Sequence, residues 1–176
     1  MNKRPETLKD SLTGSMVVYG AVIAAIYTLL TVAFAPMSFG PIQVRISEAL
    51  CILPFFTPAA VPGLFAGCII SNLLMGLPVD AVFGSIATLI GALGSYALRN
   101  HAKRYMVSIP PIVANALIIP FVLRYAYGVE DMIWFMMVTV GLGELLAAGV
   151  LGQLLLRALE RYRGVLFPVR VSGNIK

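Results

Sequence analysis

The chain has 176 residues, of which 59% are hydrophobic and only 12% charged. Soluble domains carry about 25% charged residues, so this chain lacks the polar side chains to cover a water-facing globule. Its apolar runs are long and unbroken, where barrel strands would alternate over about ten residues, so the expected fold class is all-α, an integral membrane bundle of six helices in a single transmembrane domain.

The predicted elements follow in order. Lys3, Arg4 and Lys9 precede a first span over 15–35. Ala33-Phe34-Ala35 resembles a signal-peptidase site, but the apolar run is too long for a signal h-region and reads as a retained span. Gly20 with Ala24, and Ala21 with Ala25, place small residues four apart, a spacing that lets another helix approach closely. That helix belongs to the same chain or to a separate docking subunit.

Residues 36–46 hold two prolines, a glycine, an aromatic and an arginine. Proline lowers the entropy lost on ordering, so this loop reads as a lid. A short second span, 47–57, follows, with Arg45 and Glu48 at a helical i, i+3 spacing and Gln43 beside them. Either the two charges pair to fix the lid or they contact a ligand directly.

The third span, 61–75, contains Ser71 and Asn72, and the fourth, 80–98, opens on Asp80, which reads as a helix cap on the outer side, with a ligand role as the secondary reading. Arg99, Lys103 and Arg104 separate it from a fifth span, 109–124, with Asn115 near its middle. Phe39, Tyr125, Tyr127 and Trp134 read as interface anchors ahead of the alternative, stacking partners for a ligand. The sixth span, 132–159, contains Glu144, and Arg157, Arg161, Arg163, Arg170 and Lys176 close the chain.

An even number of spans puts all three basic clusters on the cytoplasmic face with both termini, as the positive-inside bias requires. Arg45, Glu48, Asp80, Arg124, Glu130 and Asp131 then face outward. This layout, rather than a nucleic-acid patch, accounts for the net charge of +5.

Glu144 is the most informative residue. A carboxylate near the bilayer centre costs roughly 2.5 kcal/mol or more to insert, so it faces protein, water or a ligand. Three readings stand side by side: a structural anchor, a proton relay, or recognition of a ligand with two adjacent N–H donors, such as the Watson–Crick edge of a guanine-like ring. Asn115 both donates and accepts, which suits a lactam edge, but it also suits bonding between helices.

No phosphate loop, nucleophile–base pair or metal-ligand spacing is present in the sequence, so neither an enzyme nor a cofactor or metal protein is expected. Cys51 and Cys68 read as reduced, buried, small apolar residues, with nothing to support a disulfide. At 18.9 kDa the chain has no room for two inverted bundles, which points to a capture subunit that draws energy from elsewhere. A stand-alone proton-coupled carrier is the alternative.

Four strings carry a resemblance: Gln43-Val-Arg-Ile-Ser-Glu-Ala-Leu, Leu53-Pro-Phe-Phe-Thr-Pro-Ala-Ala-Val-Pro-Gly-Leu-Phe, Asn72-Leu-Leu and Asp80-Ala-Val-Phe-Gly-Ser. With them the chain resembles the substrate-binding (S) components of energy-coupling factor (ECF) transporters, and more narrowly the queuosine-precursor family, QueT. The resemblance implies a multi-pass protein of a bacterial plasma membrane. It implies capture of a deazaguanine precursor from outside. Partners would be an ECF coupling transmembrane protein, docked on the small-residue face of the first span, and two cytosolic ATPases. Candidate substrate-binding residues are Glu144, Asn115, Arg45, Gln43, Glu48 and Asn72.

Overall fold

A computed structural model describes residues 8–38, 44–100 and 103–167. Gln43, Phe39 and the tip of the expected lid lie outside the described residues, as do Arg170 and Lys176. Every element in the described residues is helical: α1 (Leu8–Ala33), α2 (Ala35–Ser38), a 3-10 segment (Ile46–Phe55), α3 (Ala60–Leu74), α4 (Pro78–Leu98), a 3-10 turn (Arg104–Ser108), α5 (Ile109–Tyr125), α6 (Ile133–Glu144), a π segment (Leu145–Leu151), α7 (Gly152–Arg161) and α8 (Arg163–Leu166).

Four stretches are long and apolar enough to cross a membrane: Gly14–Ala33, Pro78–Leu98, Arg104–Tyr125 and Ile133–Arg161. The last runs continuously through α6, the π segment and α7. Their outer faces carry large apolar side chains such as Val17, Leu29, Ile90, Leu117, Phe121 and Leu154, while Glu48, Asn72, Asp80, Asn115 and Glu144 are buried. This inverts the usual soluble arrangement and matches a lipid surround, where polar groups must find partners inside.

The 3-10 segment and α3 are shorter apolar elements. At about 2.0 Å per residue the ten-residue 3-10 segment reaches roughly 20 Å, further than an α-helix of the same length. Its residues Ser47 to Pro54 are all buried, because α1, α3, α4, the π segment and α7 enclose it. Pro54 sits inside it. Proline lacks the N–H that a regular helix interior would use.

Glycines set the closest helix crossings. A Cβ built on Gly63 would lie 2.6 Å from the Gly20 carbonyl oxygen, and one on Gly67 would lie 2.8 Å from Tyr27 Cβ and 2.9 Å from the Ala24 carbonyl oxygen. Gly63 and Gly67 are four apart on α3, so α1 and α3 pack backbone to backbone along Gly20 and Ala24. On α4, a Cβ at Gly91 would meet Pro111 at 2.6 Å and one at Gly94 would meet Pro110 at 2.5 Å, which seats the start of α5.

The contacts fix chain direction. Residues 20, 24 and 27 of α1 meet 59, 63 and 67 in and beside α3, so the two run parallel. The 3-10 segment runs antiparallel to α1, through Tyr27–Glu48 and Thr31–Ser47. At one end, Arg104 pairs with Glu160 at 2.6 Å and the Arg163 guanidinium lies 5.8 Å from the Phe55 ring. At the other end, Tyr127 meets Asp80. Arg99, Lys103, Arg104, Arg157, Arg161 and Arg163 therefore gather away from Asp80, Glu130 and Asp131.

Candidate functional site

The start of the 3-10 segment brings Glu48, fully buried, into the bundle interior. The Tyr27 hydroxyl of α1 donates to Glu48 Oε1, the Cys51 thiol donates to Oε2 at 2.8 Å, and the Thr88 hydroxyl of α4 lies 3.2 Å from Oε1. A buried carboxylate needs such donors, since an unpaired one costs far more than the bonds return. Glu48 is thus held by protein groups from three elements.

The sequence expectation for the cysteines is modified here. Both are free and buried, but neither lies among apolar side chains alone. Cys51 bonds Glu48, and Cys68 Sγ accepts from Asn72 Nδ2 at 3.3 Å, with Arg45 Nη1 4.0 Å away and the Thr88 hydroxyl 3.5 Å away.

Arg45 precedes the 3-10 segment and points inward. Its charge acts on Glu48 and Asp80, and it is also an electrostatic neighbour of Glu144. The reading of Asp80 as a helix cap is corrected: Pro78 opens α4 after Leu77, so Asp80 falls inside the first turn and makes no cap bond. Proline suits the first position because the N–H it lacks has no helical partner there. Asp80 is instead 7% exposed, and its Oδ2 accepts the Tyr127 hydroxyl at 3.2 Å. Burial, followed by the Asp80 charge, pushes the Tyr127 phenol above its ordinary value. Tyr127 therefore reaches in to the cluster and is more than an interface anchor.

Four buried polar atoms have no hydrogen-bond partner among the described residues: Glu144 Oε2, Asn115 Nδ2, Asn72 Oδ1 and Ser85 Oγ. Glu144 is 5% exposed and Asn115 3%, and the two side chains face each other across α5 and α6 within interaction range. They stop short of a hydrogen bond at Nδ2 and Oε2. The amide of Asn72 is half used: Nδ2 donates to the Asp80 carbonyl oxygen at 3.2 Å, leaving Oδ1 open. Gly84 packs beside it: a Cβ there would stand in ordinary van der Waals contact with Asn72 Nδ2, Asp80 Cβ and Arg45 Nη1, at 3.6–3.9 Å. Buried polar groups are nearly always paired, so open atoms on Glu144, Asn115 and Asn72 mark where the cluster has hydrogen-bonding capacity to offer.

The last helix carries a π segment directly after Glu144, in Leu145–Leu151. Wide turns of this kind recur at functional sites. Ala147 and Ala148 in it are fully buried, and Gly152 beyond it lets the 3-10 segment approach, with Ile52 Cγ2 3.1 Å from its would-be Cβ. The same packing that seats Glu48 thereby seats Glu144.

The family model of QueT transporters matches residues 17–161. The chain belongs to the QueT transporter family. A QueT relative, the queuosine precursor transporter QueT of Lactococcus lactis subsp. cremoris (strain MG1363), is 38% identical over 85 residues. That match spans 47% of this chain and about half, 50%, of the relative. No solved structure matches. The QueT match encloses every residue of the buried cluster described above.

Of the sequence-named residues, the QueT fold brings Glu144, Asn115, Arg45, Glu48 and Asn72 to one buried cluster. Sequence reasoning missed Tyr27, Thr88 and the two thiols as its members. The four small residues of α1 divide: Gly20 and Ala24 are buried against α3, whereas Ala21 and Ala25 face outward. A separate open groove of about 610 Å³ lies at the α5–α6 turn, lined by residues including Arg124, Asp131 and Trp134.

Proposed function

We propose that this chain is the S component of an ECF transporter, a six-crossing bundle with both termini in the cytoplasm of a bacterial cell. It captures a deazaguanine precursor of queuosine from outside and passes it inward with a coupling transmembrane protein and two cytosolic ATPases. The observation that carries this reading is the open pair of Glu144 Oε2 and Asn115 Nδ2, buried together inside a member of the QueT family. An acceptor beside a donor complements a guanine-like edge, which presents N–H groups next to a carbonyl. Glu144 takes the ring N–H and exocyclic amine, and Asn115 takes the lactam. Gln43 and Arg45 act from the lid side.

The mechanism uses the placement of these groups. The Tyr27, Thr88 and Cys51 donors hold Glu48, which fixes the 3-10 segment and with it Arg45. Substrate enters past Asp80 and Tyr127. The exposed side of α1, with Ala21 and Ala25 at its centre, docks the coupling protein, and the subunit topples to carry its site across. Small residues there let the partner's backbone approach closely.

Binding of 7-deazaguanine bases by the purified protein in nanodiscs tests the capture step. Micromolar or tighter affinity supports it, and no binding overturns it. Uptake into vesicles lacking ATP and partner subunits would instead favour a proton-coupled carrier.

A further inference from the structure

The last helical stretch, Ile133–Arg161, has 29 residues. At 1.5 Å per residue it reaches about 43 Å, against a hydrocarbon core of about 30 Å, and even a tilt of about 40° leaves it longer than the core. Part of it therefore stands in a headgroup layer. Exposed Met132 and Trp134 mark the membrane boundary at its start, which leaves the excess at the Arg161 end. There exposed Tyr105 and Tyr162 mark the second boundary, and the Arg104–Glu160 pair sets the α4–α5 turn level with it.

The outward stripe of this helix changes character at that end. Leu146, Val150 and Leu154, four apart, are exposed apolar residues that suit acyl chains. Arg157 and Arg161 follow on the same side, three and seven positions after Leu154, and both are exposed. Other guanidiniums at this end are engaged. Arg104 pairs with Glu160, Arg99 lies 3.7 Å over the Tyr96 ring, and Arg163 lies 5.8 Å from the Phe55 ring. Among the described residues, Arg157 and Arg161 make no hydrogen bond, ion pair or ring contact, and the acid beside them, Glu160, is taken by Arg104.

We infer that Arg157 and Arg161 together hold the phosphate of an anionic phospholipid, which makes the outward face of this helix a headgroup site. Guanidinium forks match phosphate oxygens with paired N–H bonds, and these two lie one helical turn apart on the lipid side. The acyl chains of that lipid run along Leu154 and Val150. A zwitterionic lipid brings its own cation to the two arginines and gains less from them. The inference does not depend on which solute the buried cluster captures. A lipid held there fixes the depth of the helix that carries Glu144.

The experiment places the full chain in nanodiscs of equal phosphatidylglycerol and phosphatidylcholine and counts the lipids it retains by native mass spectrometry. The wild type should retain phosphatidylglycerol over phosphatidylcholine by about fivefold or more. The double variant Arg157→Gln, Arg161→Gln should bring that ratio close to one, while Lys103→Gln, which removes a cation of the same end from outside the stripe, should leave it unchanged. Equal retention of the two lipids by the wild type overturns the inference and leaves the two arginines to an acidic protein face. A ratio that falls as far in Lys103→Gln as in the double variant overturns it too, because the attraction then belongs to the whole basic end. So does inorganic phosphate that raises the melting temperature in detergent as much as phosphatidylglycerol does, since the ligand would then be a free anion. Both arginines are exposed, so the variants should fold, and the wild-type ratio is a test by itself if they do not.

Discussion

Replacing Glu144 with Gln keeps the shape of the side chain and changes one acceptor into a donor. Glu144 Oε2 has no hydrogen-bond partner among the described residues, so the change orphans no described donor at that atom. Folding should survive, and because the side chain keeps its shape the melting temperature should hold. Ligand binding should not survive as well. A hydrogen bond to a charged group contributes about 1.5–3 kcal/mol, and the new amide N–H would face a ring N–H. Taking about 3 kcal/mol for the lost bond and the opposed donors, the dissociation constant should rise on the order of 100-fold. Calorimetry of a deazaguanine base against the wild type and the variant in nanodiscs measures this directly, with thermal melts as the folding control. A folded variant whose affinity stays within about twofold of wild type refutes the assignment of Glu144 to the ligand, because the charged bond alone is worth more than that.

Other expectations concern the scaffold. Gly63→Leu should abolish the folded protein, since even a Cβ there would lie 2.6 Å from the Gly20 carbonyl oxygen; a variant that melts like wild type would contradict the α1–α3 packing. Tyr27→Phe removes one donor from buried Glu48 and should cost about 1–3 kcal/mol of stability, read as a lower melting temperature; no change would mean the bond is not made. Arg104→Ala breaks an ion pair whose arginine is 64% exposed, so the loss should stay below about 1 kcal/mol; a larger drop would show that the pair is shielded from solvent. Tyr127 titrates above its ordinary value, so its contribution is complete below pH 10 and is lost as pH rises through the higher folded-state value. An alkaline melting series should therefore show a loss above pH 10 that Tyr127→Phe removes, and identical slopes in the two proteins would contradict the clasp with Asp80.

The sequence announces groups whose cost in hydrocarbon is large. Glu144 and Asn115 stand out from apolar surroundings, and both turn inward, as the expense of facing lipid demands. Tyr27, Thr88 and the thiols carry no such signal. They are ordinary in apolar helices, and only the register between α1, the 3-10 segment and α4 decides that three of them surround Glu48. The small-residue spacing of Gly20 and Ala24 is the legible sign of close packing; its counterpart, Gly63 and Gly67 on α3, emerges only from the fold. Hydropathy does not reveal that the second apolar run winds as a 3-10 segment, or that the helix widens after Glu144, because composition is indifferent to the number of residues per turn. Asp80 misled because capping chemistry fits the residue type, while Pro78 starts the helix two positions earlier.

A structure of the protein with a deazaguanine bound would test the central claim most directly. The account predicts the ring between α5 and α6, with its N–H edge on Glu144 Oε2 and its carbonyl on Asn115 Nδ2. A ring lodged instead in the open groove by Arg124 and Trp134, with Glu144 untouched, would contradict it.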